Sequence, residues 1–223
     1  MGACSCRINP IDEAQRALIE EIIVYWFGDL DSWDRQNQPL PMAELKSKWF
    51  GRDFDDEMKE KYSDALEKVK SGEYNGWEHD HDGRLAAIIL CDQMARNIFR
   101  GSGEAFAGDS KARKIIKTIL NSSDEKLNLA SYRYGEQGVL LMPLMHSENK
   151  SDTRQCIIEF TKLSKKMEDD AECEGNAQIY VKFAQDHDMV VQKYGRYPKR
   201  NAALGRTSTD AELRYLEENT GAF

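Results

Sequence analysis

Hydrophobic positions recur every three or four residues along most of this chain, the spacing of one face of an α-helix. Ile11, Leu18, Ile22 and Tyr25/Trp26 form the first such stripe, which closes at Phe27-Gly28. Glycine there can take the left-handed turn that ends a helix. Between Arg52 and Lys70 a second stripe runs through Phe54, Met58, Tyr62, Ala65/Leu66 and Val69, and stops at Ser71-Gly72. The same period predicts helices over 83–99, 104–120, 131–142, 152–167, 176–194 and 209–218. The last opens with Thr209-Asp210-Ala211-Glu212, a capping-box spacing in which the Thr and Glu side chains satisfy free amides. An apolar run extends from Val139 to Met145, but Pro143 lies inside it. Proline has no amide hydrogen and crowds the preceding turn, so the helix is expected to end or kink there.

Period-2 alternation is missing, and β-branched residues are not gathered into blocks, so no strands are expected. The fold class is therefore all-α, with about eight helices whose short connections favour antiparallel neighbours. Neither a linker rich in glycine, serine or proline nor a defensible internal repeat divides the chain. Residues 10–223 read as one helical domain, and 1–9 as a flexible N-terminal segment.

Composition narrows the setting. Charged residues make up 31% of the 223 residues and the net charge is −8, which argues against a general nucleic-acid coat. The longest apolar runs, Leu85–Cys91 and Val139–Met145, fall well short of the ~20 residues that span a bilayer. Five cysteines with no CxxC pairing suit a reducing compartment. These features lead to an expectation of a cytoplasmic protein with no nucleic-acid partner, no metal and no cofactor. Met1-Gly2-Ala3-Cys4-Ser5-Cys6 adds one qualification. Gly2 could carry a myristoyl chain, and Cys4 and Cys6 the palmitoyl chains that make such an anchor stable. Cys6, however, stands where that motif wants Ser or Thr.

Polar residues interrupt the apolar stripes at informative places. In the stretch from Gly83, the stripe Leu85, Ile88/Ile89 continues through Asp92 and Ala95/Arg96 to Phe99. Asp92 and Arg96 stand four apart, share a face and can pair beside the core. Ile179, Phe183, His187, Val190 and Tyr194 place a histidine among apolar neighbours. His146 and Glu148 directly follow the 139–145 run. From Lys193 to Arg206 the chain carries five cations and no acid, shaped by Gly195, Pro198 and Gly205. Arginine's planar fork suits phosphate or carboxylate. Each feature also has a structural reading, as an internal ion pair, a hydrogen-bonded core histidine or a set of helix caps.

Long motifs carry a resemblance. Asp92-Gln93-Met94-Ala95-Arg96-Asn97-Ile98-Phe99-Arg100, followed by Phe106-Ala107-Gly108-Asp109, resembles the signature of domain-of-unknown-function family 924. Met142–Glu148 and Gly195–Arg206 are similar to its two later motifs, in the same order, and the Trp26-Phe27 and Trp49-Phe50 pairs resemble its N-terminal part. The resemblance implies an all-helical, tetratricopeptide-like right-handed array of helix pairs, and no established activity. It also marks a departure: Lys199 stands where the family usually has histidine before Arg-Asn.

Three functions compete. In the first, Arg96, Arg100, Arg196, Arg200 and Arg206 hold a small phosphate- or carboxylate-bearing ligand. Asn97, Asn201, Asp92 and Asp109 line the same site, and His146, Glu148 or His187 transfers a proton. In the second, the helices form a scaffold for a protein partner through a groove with Trp33, Trp49 or Trp77. In the third, His146, His187-Asp188 and Asp210 echo the H…HD…D order of a metal-dependent phosphohydrolase, with Glu78–Asp82 as a further metal candidate.

Overall fold

The computed structural model describes residues 8–28, 51–168 and 177–219, and these are all helix, turn and loop. Gly2, Cys4, Cys6, Trp33, Trp49 and Phe50 lie outside the described residues. Helix α1 (Glu13–Phe27) starts on Asp12, whose side chain accepts from the Gln15 amide, and ends at Gly28 with φ 88°. Helix α2 (Asp55–Ser71) has Asp55, Asp56 and Glu57 in its first turn and Lys68 and Lys70 in its last, which complements the helix dipole. Helix α3 runs without a break through His81–Ile88, Ile89–Met94 and Ala95–Ile98. It is followed by α4 (Asp109–Leu120), α5 (Tyr134–Met145), α6 (Lys150–Glu168), α7 (Ala177–Tyr194) and α8 (Asp210–Glu218). Among the described residues none of these is long and apolar enough to cross a membrane.

The capping box on α8 is formed in both directions, Thr209 and Glu212 each accepting the other's amide. Two expectations need correction. Residues 104–120 are not one helix: a 3-10 turn (Gly103–Phe106) precedes α4, and Gly108 separates them. Nor does Pro143 end its helix, because α5 continues to Met145. Every residue of α5 from Glu136 to Met145 is buried, so tertiary packing holds the helix together across the missing proline hydrogen bond.

One apolar cluster joins α1 to α7, with Trp26, Tyr62, Trp77, Leu85, Ile88 and Phe160 inaccessible or nearly so. Each such large side chain contributes ~1.5–3 kcal/mol over its exposed state. Helices α6 and α7 are antiparallel, with Thr153 Oγ1 donating to Asp188 at 2.6 Å and Phe160 stacked on Tyr180 further along. Trp77, one of the tryptophans considered for a groove, is fully buried and donates to Gln15 at 3.0 Å.

Candidate functional site

A local widening of α3 sets the geometry. From Ile89 to Met94 the backbone is π-helical, a turn that shifts side-chain register by about one residue and is frequent at functional sites. It holds the Asp92 carboxylate wholly out of solvent. His146 Nδ1 lies 2.9 and 2.8 Å from its two oxygens, Gln93 donates to Oδ2, and Arg96 Nη1 stands 3.3 Å from Oδ1. Arg96 also donates to the Asp92 carbonyl. The pairing expected from the four-residue spacing is thus present, with the histidine as a further partner.

Gly108 delivers the second carboxylate. A Cβ there would stand 2.4 Å from the Cys91 carbonyl oxygen and 2.8 Å from Cys91 Cα. Only glycine lets this loop lie flat on the π-helical segment. Asp109, the next residue, consequently bridges two arginines: Arg96 Nη2 and Arg200 Nη1 each lie 3.2 Å from Oδ2. Arg96 Nη2 is 3.0 Å from Oδ1 as well, but Oδ1 is buried with no well-aligned donor among the described residues.

Arg200 arrives from the turn Pro198–Arg200. Its guanidinium lies 4.6 Å from the ring centres of both Phe106 and Tyr197, and Nη2 donates to the His146 carbonyl at 2.9 Å. Cation–π contacts on two rings restrict the fork to one plane. Tyr197 is anchored in turn, its hydroxyl donating to the Met145 carbonyl and its amide to Glu148 at 2.8 Å. Arg206 completes this corner with a two-pronged pair to Glu148 at 2.7 and 2.9 Å. His187 packs nearby, its ring centre 6.0 Å from that of His146, with Nδ1 2.7 Å from the Phe183 carbonyl oxygen.

The electrostatics are those of a small, dry charge cluster. Burial opposes ionisation of Asp92, but Arg96 and His146 outweigh it and hold the carboxyl at about 2. Burial raises the Asp109 carboxyl, reinforced by the neighbouring Asp92 charge. Burial lowers His146, and Arg96 and Arg200 add to the effect against the pull of Asp92. His187 is pushed down to about 3, again chiefly by burial. Both imidazoles are therefore neutral near pH 7, whereas the arginines stay charged.

Other residues singled out in the sequence lie elsewhere. Arg100 and Asn97 turn to Asp55 on α2, with Arg100 Nε at 2.7 Å and Asn97 Nδ2 at 3.0 Å. Arg196 grips Glu212 at 2.6 and 2.8 Å, and Asn201 donates to Ser208 at 3.0 Å beside it. These two groups tie helix ends together, away from Asp92. Among the described residues no three of His, Cys, Asp and Glu gather as a metal site. Asp188 is engaged by Thr153 and Gln192, while Glu78 takes Lys111 and Lys114 and Asp80 takes Arg16. The H…HD…D reading and the Glu78–Asp82 cluster accordingly have no geometry behind them. Lys199 sits half-buried in the turn beside Arg200, and burial lowers its ammonium. Phe106 and Gln93 stand within the motifs with nothing in their spacing to mark them as site residues, and Asp55 carries no sequence signal at all.

A family model described as bacterial protein of unknown function, DUF924, matches residues 22–220. The chain belongs to the DUF924 family. Both motif segments that meet at Asp109 fall inside the matched range. Among solved structures, a protein of unknown function from Agrobacterium tumefaciens superposes with a TM-score of 0.71 at 25% identity, over 92% of this chain and 99% of that one. No curated protein matches the chain. The DUF924 relationship thus supports the helical fold and leaves the chemistry to the site.

Proposed function

We propose that this DUF924 protein binds a small anion of phosphate or carboxylate chemistry between Arg96 and Arg200. The observation that carries this reading is the convergence of the two guanidiniums on Asp109, from helix α3 and from the 198–200 turn. They meet at a partly open place: the side chains of Arg96 and Arg200 are 22% and 13% exposed. Asp109 already occupies the position that an anionic group would favour. Each fork has five N–H donors, and the bonds to Asp109 and the His146 carbonyl use two of those on Arg200. The aromatic walls hold the remainder in a fixed plane, which lowers the entropy lost on binding.

The test is thermal unfolding of the purified protein with inorganic phosphate, then with phosphorylated and carboxylated metabolites, alongside Arg200→Lys and Arg200→Ala. A ligand present at ~100 times its dissociation constant adds ~2.7 kcal/mol, a rise of several degrees for a chain of this size. Arg200→Lys keeps the charge but loses the fork, and both variants are expected to abolish the rise. Silence across the panel from a folded wild-type protein would end the anion reading.

A further inference from the structure

We infer that the same site is built for proton transfer, with His146 as a general base that Asp92 orients toward an anion held by Arg96 and Arg200. The inference rests on the anion-binding reading above. An ionised carboxylate only accepts hydrogen bonds, so the short contacts of His146 Nδ1 with both Asp92 oxygens place the ring hydrogen on Nδ1. The lone pair of the neutral ring is then on Nε2, at the far side of the imidazole. Nε2 makes no hydrogen bond to the described residues, the side chain is 18% exposed, and Arg200 Nη2 is tied to the carbonyl of the same residue at 2.9 Å. A histidine serving packing alone, like the more deeply buried His187 with its bond to the Phe183 carbonyl, needs no ionised partner.

The groups facing His146 come from every neighbouring element. They are Asp92 and Arg96 on α3, Asp109 on α4, His187 on α7, and Arg200 on the basic loop, with Tyr197 behind them against His187 and Arg200. In the step, a hydroxyl of the bound anion, or a water held beside it, gives its proton to Nε2, and the electron pair stays on the oxygen. The ring becomes an imidazolium facing Asp92, and the new oxyanion faces two guanidiniums. Charge and atoms balance with no other reactant.

The test uses the full chain with inorganic phosphate as probe. Long-range nitrogen–proton NMR correlations should show His146 as the Nδ1–H tautomer. Diethyl pyrocarbonate should modify it, followed by mass spectrometry, with a rate that falls as pH drops and the ring takes a proton. Phosphate at ten times its dissociation constant should slow that reaction about tenfold, by occupancy alone, while exposed His79 reacts unchanged. Asp92→Asn should shift the tautomer or the pH profile. An Nε2–H tautomer, or no modification of His146 where His79 reacts, overturns the base. So does phosphate that raises the melting temperature without shielding His146, and this outcome leaves the anion site standing. Absence of any effect on melting, from phosphate and from the whole panel of phosphorylated and carboxylated metabolites, refutes the anion site itself.

Discussion

Asp92→Asn is the substitution that probes the cluster most directly. It keeps the side-chain shape and removes one buried charge. The folded protein holds the carboxyl at about 2, against an ordinary 3.8. At 1.36 kcal/mol per unit that preference contributes about 2 kcal/mol to stability at neutral pH. Losing the charge also leaves Arg96, 3.3 Å away, with Asp109 as its remaining carboxylate, a penalty smaller than the ~3–5 kcal/mol of a fully uncompensated buried partner. The expected loss is thus roughly 2–5 kcal/mol, or ~4–20 °C in melting temperature for a chain of this length. Because the folded carboxyl is depressed, its contribution is fully present above the unfolded value near 4 and disappears only as pH falls toward 2. Denaturant unfolding of wild type and variant at pH 5, 6.5 and 8 should therefore show a nearly constant difference as far as Asp92 is concerned. A difference under 1 kcal/mol at all three would refute the reasoning, since the carboxylate would then not be balancing the Arg96 charge or anchoring His146.

Two further substitutions test separate parts of the structure. Gly108→Ala drives a methyl into the Cys91 backbone at 2.4 Å, where no flexible side chain can yield. A loss of ~1–3 kcal/mol in thermal unfolding is expected, with loss of the phosphate effect as Asp109 is pushed off its arginines. His187 is held at about 3 by burial, whereas an unfolded histidine titrates near 6.5. Acid therefore favours unfolding between those values, with up to ~1.4 kcal/mol of stability lost per pH unit. His187→Phe should flatten that part of the stability–pH curve in chemical denaturation, and an unchanged curve would assign the acid sensitivity to other groups.

The helical class was legible because three- and four-residue periodicity survives any packing arrangement, and so were the Asp92–Arg96 pair and the Thr209–Glu212 box, which are local. What failed were features set by long-range contact. A π-helical turn leaves no compositional mark in Ile89–Met94, since its residues are those of any buried helix. Pro143 reads as a stop until the surrounding helices are known to bury α5 on all sides. Arg100 and Arg196 look like site residues because they lie in arginine-rich motifs, yet each has a carboxylate of its own, Asp55 and Glu212, from a distant segment. Gly108 could be seen in its motif, but the reason for it is the Cys91 backbone, and no spacing rule predicts that approach.

The arrangement of charges separates structural arginines from the two proposed for binding. Arg100, Arg196 and Arg206 each meet one carboxylate of their own in a two-pronged pair, although Arg206 Nε is left without a partner among the described residues. Arg96 and Arg200 instead share Asp109, and Arg96 also reaches an Asp92 that His146 contacts through both oxygens. Two forks divided over a shared, incompletely bonded carboxylate have donor capacity left over, and beside them stands a neutral imidazole with an unengaged Nε2 among the described residues. An assembly serving stability alone is best satisfied when every buried polar atom is matched. The surplus donors, the orphaned Asp109 Oδ1 and the oriented histidine occur together at the one place where segments from α3, α4, α5 and the basic loop meet. That coincidence is the physical reason to look for chemistry here before any other surface of the molecule.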